Sequence, residues 1–82
     1  MADADIEQLR AVLAARIITV LDEQGLTVRK AEEPTGFAAA NFSRIRQAKL
    51  DRFTIDRLMM MLTRLGQKID ITLDVRPREM AT

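Results

Sequence analysis

Cysteine and histidine are both missing from this 82-residue chain, and their absence removes several kinds of protein at once. Without cysteine there are no disulfides and no thiolate metal sites. Without histidine, ordinary zinc sites and imidazole acid–base catalysis are excluded. No apolar run nears the roughly 20 residues needed to span a bilayer. The opening stretch Met1-Ala2-Asp3-Ala4-Asp5 is acidic and has no basic segment, so it does not read as a secretory signal. A cytoplasmic protein with no membrane partner is the expectation. No phosphate-cradling glycine loop, nucleophile–base pair or metal-ligand spacing is present, so no enzyme activity, catalytic residue, cofactor or metal is expected. Asp51 and Asp56 are close in sequence, but Asp56 opens a helix, where a carboxylate already has a structural role.

What remains is a chain of 48% apolar residues, a globular rather than a disordered composition. Its length suits a single domain spanning residues 1–82. A domain this small buries only about 60% of the surface its unfolded chain exposes, so its core is thin. With disulfides and metals excluded, dimerisation is the remaining way to bury more apolar surface. The net charge of +1 is uninformative, but its distribution is not. Asp3, Asp5 and Glu7 make the first seven residues acidic. Between Arg44 and Arg57, five bases face two acids, a local excess of +3.

Ile6, Leu9, Val12, Leu13, Ile17, Val20 and Leu21 recur at helical spacing and predict a first helix from about Ile6 to Gln24 with that stripe buried. Gly25 supplies a left-handed stop, and Leu26 can fold back on the helix end. Thr27 is placed to cap a short helix, Val28 to about Glu33, which Pro34 ends. Thr35-Gly36 reads as a tight turn. A further helix, about Ala38 to Ala48, turns Phe42 and Ile45 inward, and Thr27–Ala48 therefore forms a helix-turn-helix pair. Thr54 then caps a helix of about residues 54–65, with Asp56 at its positive end and a stripe of Ile55, Leu58, Met59, Leu62 and Leu65. Of the neighbouring methionines, Met59 reads as core. Met60 and Met61 fit either core filling or an interface.

After Gly66 the period changes. Ile69, Ile71, Leu73 and Val75 alternate with Asp70, Thr72 and Asp74, which predicts a β-strand of about residues 68–76 ended by Pro77. The fold class expected is mainly α, four to five helices with this single C-terminal strand. A lone strand leaves its backbone donors and acceptors unpaired. Antiparallel pairing with its own copy across a homodimer two-fold axis resolves this; the alternative is an edge flap or a frayed tail.

A short helix, a glycine turn and a second helix with a polar outer face form the arrangement that reads DNA. The second helix lies in the major groove while the first crosses the phosphate backbone. In that frame Ala39, Ala40, Asn41, Ser43, Arg44 and Gln47 face the base edges. Arg44 suits guanine, while Asn41 and Gln47 suit adenine. Thr27, Arg29, Lys30, Arg46, Lys49 and Arg52 suit phosphate, which positions a protein without reading sequence. The same charges also fit a solvated helix exterior, and periodicity alone does not separate the two.

The segment from Leu26-Thr27 through Gly36-Phe37 to Phe42-Ser43-Arg44-Ile45-Arg46-Gln47-Ala48-Lys49-Leu50-Asp51-Arg52-Phe53-Thr54-Ile55-Asp56-Arg57-Leu58, then Leu65-Gly66 and the terminal alternation, resembles the Xre/Cro-CI-type helix-turn-helix family. Within it the chain is similar to the short HigA-like antitoxins and their orphan relatives. The likeness covers roughly Arg16 to Val75. It implies a lambda-repressor-like domain acting as a dimeric transcriptional repressor on a double-stranded DNA operator. Many members also bind a RelE/HigB-type toxin encoded beside them. The chain departs from the family pattern at Val28, Glu32, Pro34-Thr35 and Ala38-Ala39-Ala40. A core-facing Glu32 would cost several kcal/mol unless it finds a partner or turns outward. A distorted or loosened helix pair around Glu32–Thr35 and a sparser base readout are expected from these changes. A toxin-binding or regulatory module that no longer binds an operator is the alternative they leave open.

Overall fold

A computed structural model describes residues 3–70, 72 and 75–77. The first helix, α1 (Asp3–Glu23), is the longest at 21 residues. It is followed by α2 (Glu32–Thr35), α3 (Ala39–Arg46) and α4 (Ile55–Arg64). Gln24, Gly25 and Leu26 close α1. Gly25 takes φ 66°, and the Leu26 amide donates back to the Leu21 carbonyl at 2.8 Å.

The core forms where the C-terminal half of α1 lies against α3 and α4. Ile17, Leu21, Phe42, Leu58 and Met61 are fully buried in it, with Ile45 and Phe53 nearly so. On α4 and its C-cap the buried residues are Leu58, Met61, Leu62 and Leu65, the last three 3, 4 and 7 positions after the first and so on one face. Met61 is therefore a core residue, Met59 only half-buried, and Met60 exposed. The stripe expected on α1 is buried only from Leu13 onward. Ile6, Leu9 and Val12 are 39–51% exposed. The reason is length. A helix of 21 residues runs about 32 Å, while the ten residues of α4 cover about 15 Å. α4 is too short to cover the first turns of α1 as well.

The crossing segment differs from its expected form. Thr27 caps it, its Oγ1 accepting from the Lys30 amide at 3.1 Å, and the Ala31 amide donates to the Thr27 carbonyl at 3.0 Å. The chain then turns into α2, which continues through Pro34 to Thr35. Pro34 does not end the helix because it is only the third residue of α2, within the first turn. There a backbone N–H has no intrahelical acceptor, so none is lost. Thr35 is buried without strain on its hydroxyl, which donates to the Ala31 carbonyl and accepts from the Phe37 amide. The helix pair is not loosened around Glu32–Thr35. Gly36 closes α2 at φ 75° and donates to the Glu32 carbonyl at 2.8 Å.

At the far end of α3 the backbone is less comfortable. Ala48 sits at φ 58°, the one non-glycine left-handed residue among those described. The Ala48 amide donates to Ile45 and that of Lys49 to Arg44, the pair of bonds in which glycine ordinarily occupies this position. A side chain there costs about 1–2 kcal/mol, partly offset by the freedom glycine adds to the unfolded chain. Ala48→Gly is therefore expected to stabilise the fold by about 0.5–1 kcal/mol, raising Tm by about 3–6 °C in a thermal melt. A lowered Tm would contradict this reading of the turn.

No β-strand is present among the described residues. Ile69 is half-buried against the core and Val75 is 87% exposed. Ile71 and Leu73, the middle of the expected strand, lie outside the described residues.

Candidate nucleic-acid interface

The outer face of α3 and its C-cap carry Ala40, Arg44 and Gln47, all exposed, the last two four and seven residues after the first, so they form one stripe. Ala39, Asn41 and Ser43 flank it and are half-buried. The Gln47 amide lies 3.5 Å from Ser43 Oγ, too long to be a strong bond. Beyond the helix end, Arg44, Lys49 and Arg52 line one shallow depression of about 260 Å³, with Asp51 beside them. Arg29 and Lys30 are exposed on the crossing segment. The structure thus brings Arg44 together with two of the expected phosphate contacts. Arg46 is placed differently, in an ion pair with Asp22 of α1 at 2.8 Å. Both side chains are substantially exposed, so the pair adds at most about 1 kcal/mol, but it ties α3 to α1.

Residues outside the expected set of DNA contacts hold this surface in place. Ala38 is the N-cap of α3, with extended φ −64° and ψ 147°, and its side chain makes no capping bond. Glu32 supplies that bond from across the turn. Its Oε2 accepts from the Ala39 amide at 2.6 Å, a carboxylate at the positive end of a helix. The glutamate faces outward, not into the core, and the Ala38 and Glu32 departures compensate each other.

Two arginines of α4 complete the clamp. Arg64 Nη1 donates to the Thr35 carbonyl at 2.9 Å and its guanidinium lies 5.7 Å from the Phe37 ring centre. A Cβ at Gly36 would come within 3.0 Å of that same nitrogen, so the glycine provides both the turn and the room. The Arg57 guanidinium lies 5.5 Å from the Phe53 ring centre and 5.8 Å from that of Phe37, and Nη2 donates to Asn41 Oδ1 at 3.3 Å. Arg57 and Arg64 are seven apart and so share a face of one helix. That spacing opposite two phenylalanines was the available sequence signal. At the start of α4, Thr54 Oγ1 accepts from the Arg57 amide at 3.3 Å. A hydrogen bond from the Thr54 side chain, with backbone amides helping, lowers the pKa of Asp56 below its ordinary value. A depressed carboxylate stabilises the fold above its unfolded pKa, and that contribution fades as acid titrates the folded form.

Among the described residues, no group of three or more metal-ligating side chains is assembled. No helix among them is long and apolar enough to cross a membrane.

A short helix, a left-handed glycine, and a second helix that buries Phe42 and Ile45 while exposing a polar stripe define a helix-turn-helix protein. The chain matches the family described as Helix-turn-helix domain over residues 1–74. It is also similar to a solved structure assigned to the XRE family of transcriptional regulators, with 31% identity and a TM-score of 0.83 over 99% of this chain and 91% of the other. No curated protein matches it. The chain belongs to the XRE-type helix-turn-helix family.

Proposed function

We propose that this chain is a sequence-specific, DNA-binding transcriptional repressor that works as a homodimer, of the HigA-like antitoxin or orphan-regulator type, and acts on its own operator in the cytoplasm. The observation that carries the reading is the exposed Ala40–Arg44–Gln47 stripe of α3, which runs directly into the basic depression of Arg44, Lys49 and Arg52. A base-reading edge and a phosphate-binding edge are thereby continuous, as a helix lying in a major groove requires. Arg44 is assigned to guanine, with Asn41, Ser43 and Gln47 as further polar contacts. Ala39 and Ala40 offer only small apolar contacts, such as to a thymine methyl. Thr27, Arg29, Lys30, Lys49 and Arg52 take phosphates. Arg46, engaged with Asp22, is left out of that set.

In a dimer the two copies of α3 would enter successive major grooves about 34 Å apart. The apolar residues that α1 leaves exposed, Ile6, Leu9 and Val12, favour a second copy in the assembly. Antiparallel pairing of the 68–76 segments remains the proposed contact between the C-terminal ends.

The test is a salt series on DNA from upstream of the chain's own gene. Four cations per protomer, eight per dimer, give an expected slope of log affinity against log salt of about −7. A slope near zero would count against DNA as the ligand. A second reading, a toxin-binding module, is favoured by the apolar groove along Met59, Met60 and Ile69. It predicts co-purification with a small basic protein from the neighbouring gene and no DNA binding. DNA binding with the expected salt slope would set it aside as the sole function.

A further inference from the structure

Asn41 is a half-buried member of the proposed reading surface, and its side-chain oxygen accepts a hydrogen bond from Arg57. We infer that Arg57, which lies on α4 outside the helix-turn-helix, is the positioning residue that decides which base Asn41 reads. The inference rests on the DNA-binding function proposed above and deepens it.

An arginine has only donors to offer. The atom of the Asn41 amide that faces Arg57 must therefore be the oxygen, and the amide nitrogen is turned away from α4. The arginine is itself held. Its guanidinium lies over both Phe37 and Phe53, and Phe53 is almost completely buried. A planar cation over two ring faces has little freedom to swing off. The Asn41 backbone is held in the first turn of α3, where its main-chain N–H donates to the Ala38 carbonyl at 2.9 Å.

Adenine presents an acceptor and a donor in the major groove, and asparagine meets both when its oxygen and nitrogen are free together. With the oxygen turned to Arg57, Asn41 presents its N–H groups. Guanine offers two acceptors at N7 and O6, and the N6–H of adenine would meet a donor. The Arg57 contact thus converts a residue usually matched to adenine into one that favours guanine. The same contact places a fixed positive charge behind the amide, which strengthens its N–H groups as donors.

The experiment is selection of binding sites from a random DNA pool by the full chain, run in parallel for the wild type, Arg57→Met, Arg57→Lys and Arg44→Ala. Methionine keeps an apolar stem over the two rings but has no donor, and thermal melts verify that each variant is folded. At one position in each half-site the wild type is expected to enrich guanine over adenine, and Arg57→Met to reverse that preference by about tenfold or more. Arg57→Lys, which keeps a donor, is expected to retain guanine. If Arg57→Met selects the same sites with only a uniform loss of affinity, Arg57 is a general charge contact and the inference is overturned, while a changed site for Arg44→Ala would leave the DNA reading intact. If the wild type enriches no sequence, the proposed function fails and this inference falls with it.

Discussion

Phe42→Ala is expected to cost about 3–5 kcal/mol and to leave much of the chain unfolded at 37 °C. The side chain is completely buried, on the inner face of the same helix that carries Arg44 outward, and it shares the core with Ile17, Leu21, Leu58 and Met61. Removing most of a phenylalanine loses its transfer free energy and leaves a cavity that the surrounding helices only partly close. The total stability of a domain is about 5–15 kcal/mol, and a small one with no covalent or metal support falls at the low end. A Tm decrease of at least about 12 °C follows from the lower bound of the cost. Leu9→Ala is the control, because Leu9 is 44% exposed and leaves no cavity. Melts in which the two variants drop by the same few degrees would show that Phe42 does not anchor α3. The reading surface would then lack the rigid support that its proposed function demands.

The parts of this architecture that could be read from the sequence are those in which one residue type has one physical meaning. Gly25 and Gly66 mark helix stops because few other residues tolerate a positive φ. The turn at Ala48 escaped notice for the same reason, since an alanine gives no sign of a left-handed conformation. Periodicity located the amphipathic face of α1 but could not say how much of it would be covered. That depends on the length of α4, a property of another segment. Pro34 misled because its meaning is positional: it breaks a helix interior but not a first turn.

Glu32 misled more instructively. Judged alone it is an acid expected to face the core. Judged beside Ala38, a helix start without a capping side chain, it is the missing cap supplied from another helix. Long-range compensation of this kind spans seven residues and a turn, beyond the reach of a local pattern. The Arg57 and Arg64 clamps on Phe37 are further still from their partners in sequence. The alternating segment after Gly66 is the opposite case. Its pattern is strong, but a strand needs a neighbour for its backbone groups, and the chain itself offers none among the described residues.

Arg44→Ala and Lys49→Ala are expected to produce two different kinds of damage, although their side chains line the same depression. Arg44 belongs to α3 and continues the stripe from Ala40 to Gln47, so its guanidinium starts from a rigid element, as the proposed base contact requires. A bidentate contact to guanine is worth about 1–3 kcal/mol of discrimination. Its loss should therefore reduce the preference for the correct base by about five- to 150-fold per half-site, with much weaker effects on unrelated DNA. Lys49 follows the left-handed turn at Ala48, outside the helix, and its ammonium is a point charge suited to phosphate. Its loss should weaken binding to all sequences by a similar factor and make the salt slope shallower by about 0.9 for each copy. Competition binding of each variant against operator and scrambled duplexes at several salt concentrations separates the two. If both variants lose affinity uniformly and both flatten the slope, Arg44 is a phosphate contact like its neighbour. The discrimination would then have to come from Asn41, Ser43 and Gln47, of which Asn41 is the one joined to another helix, through Arg57.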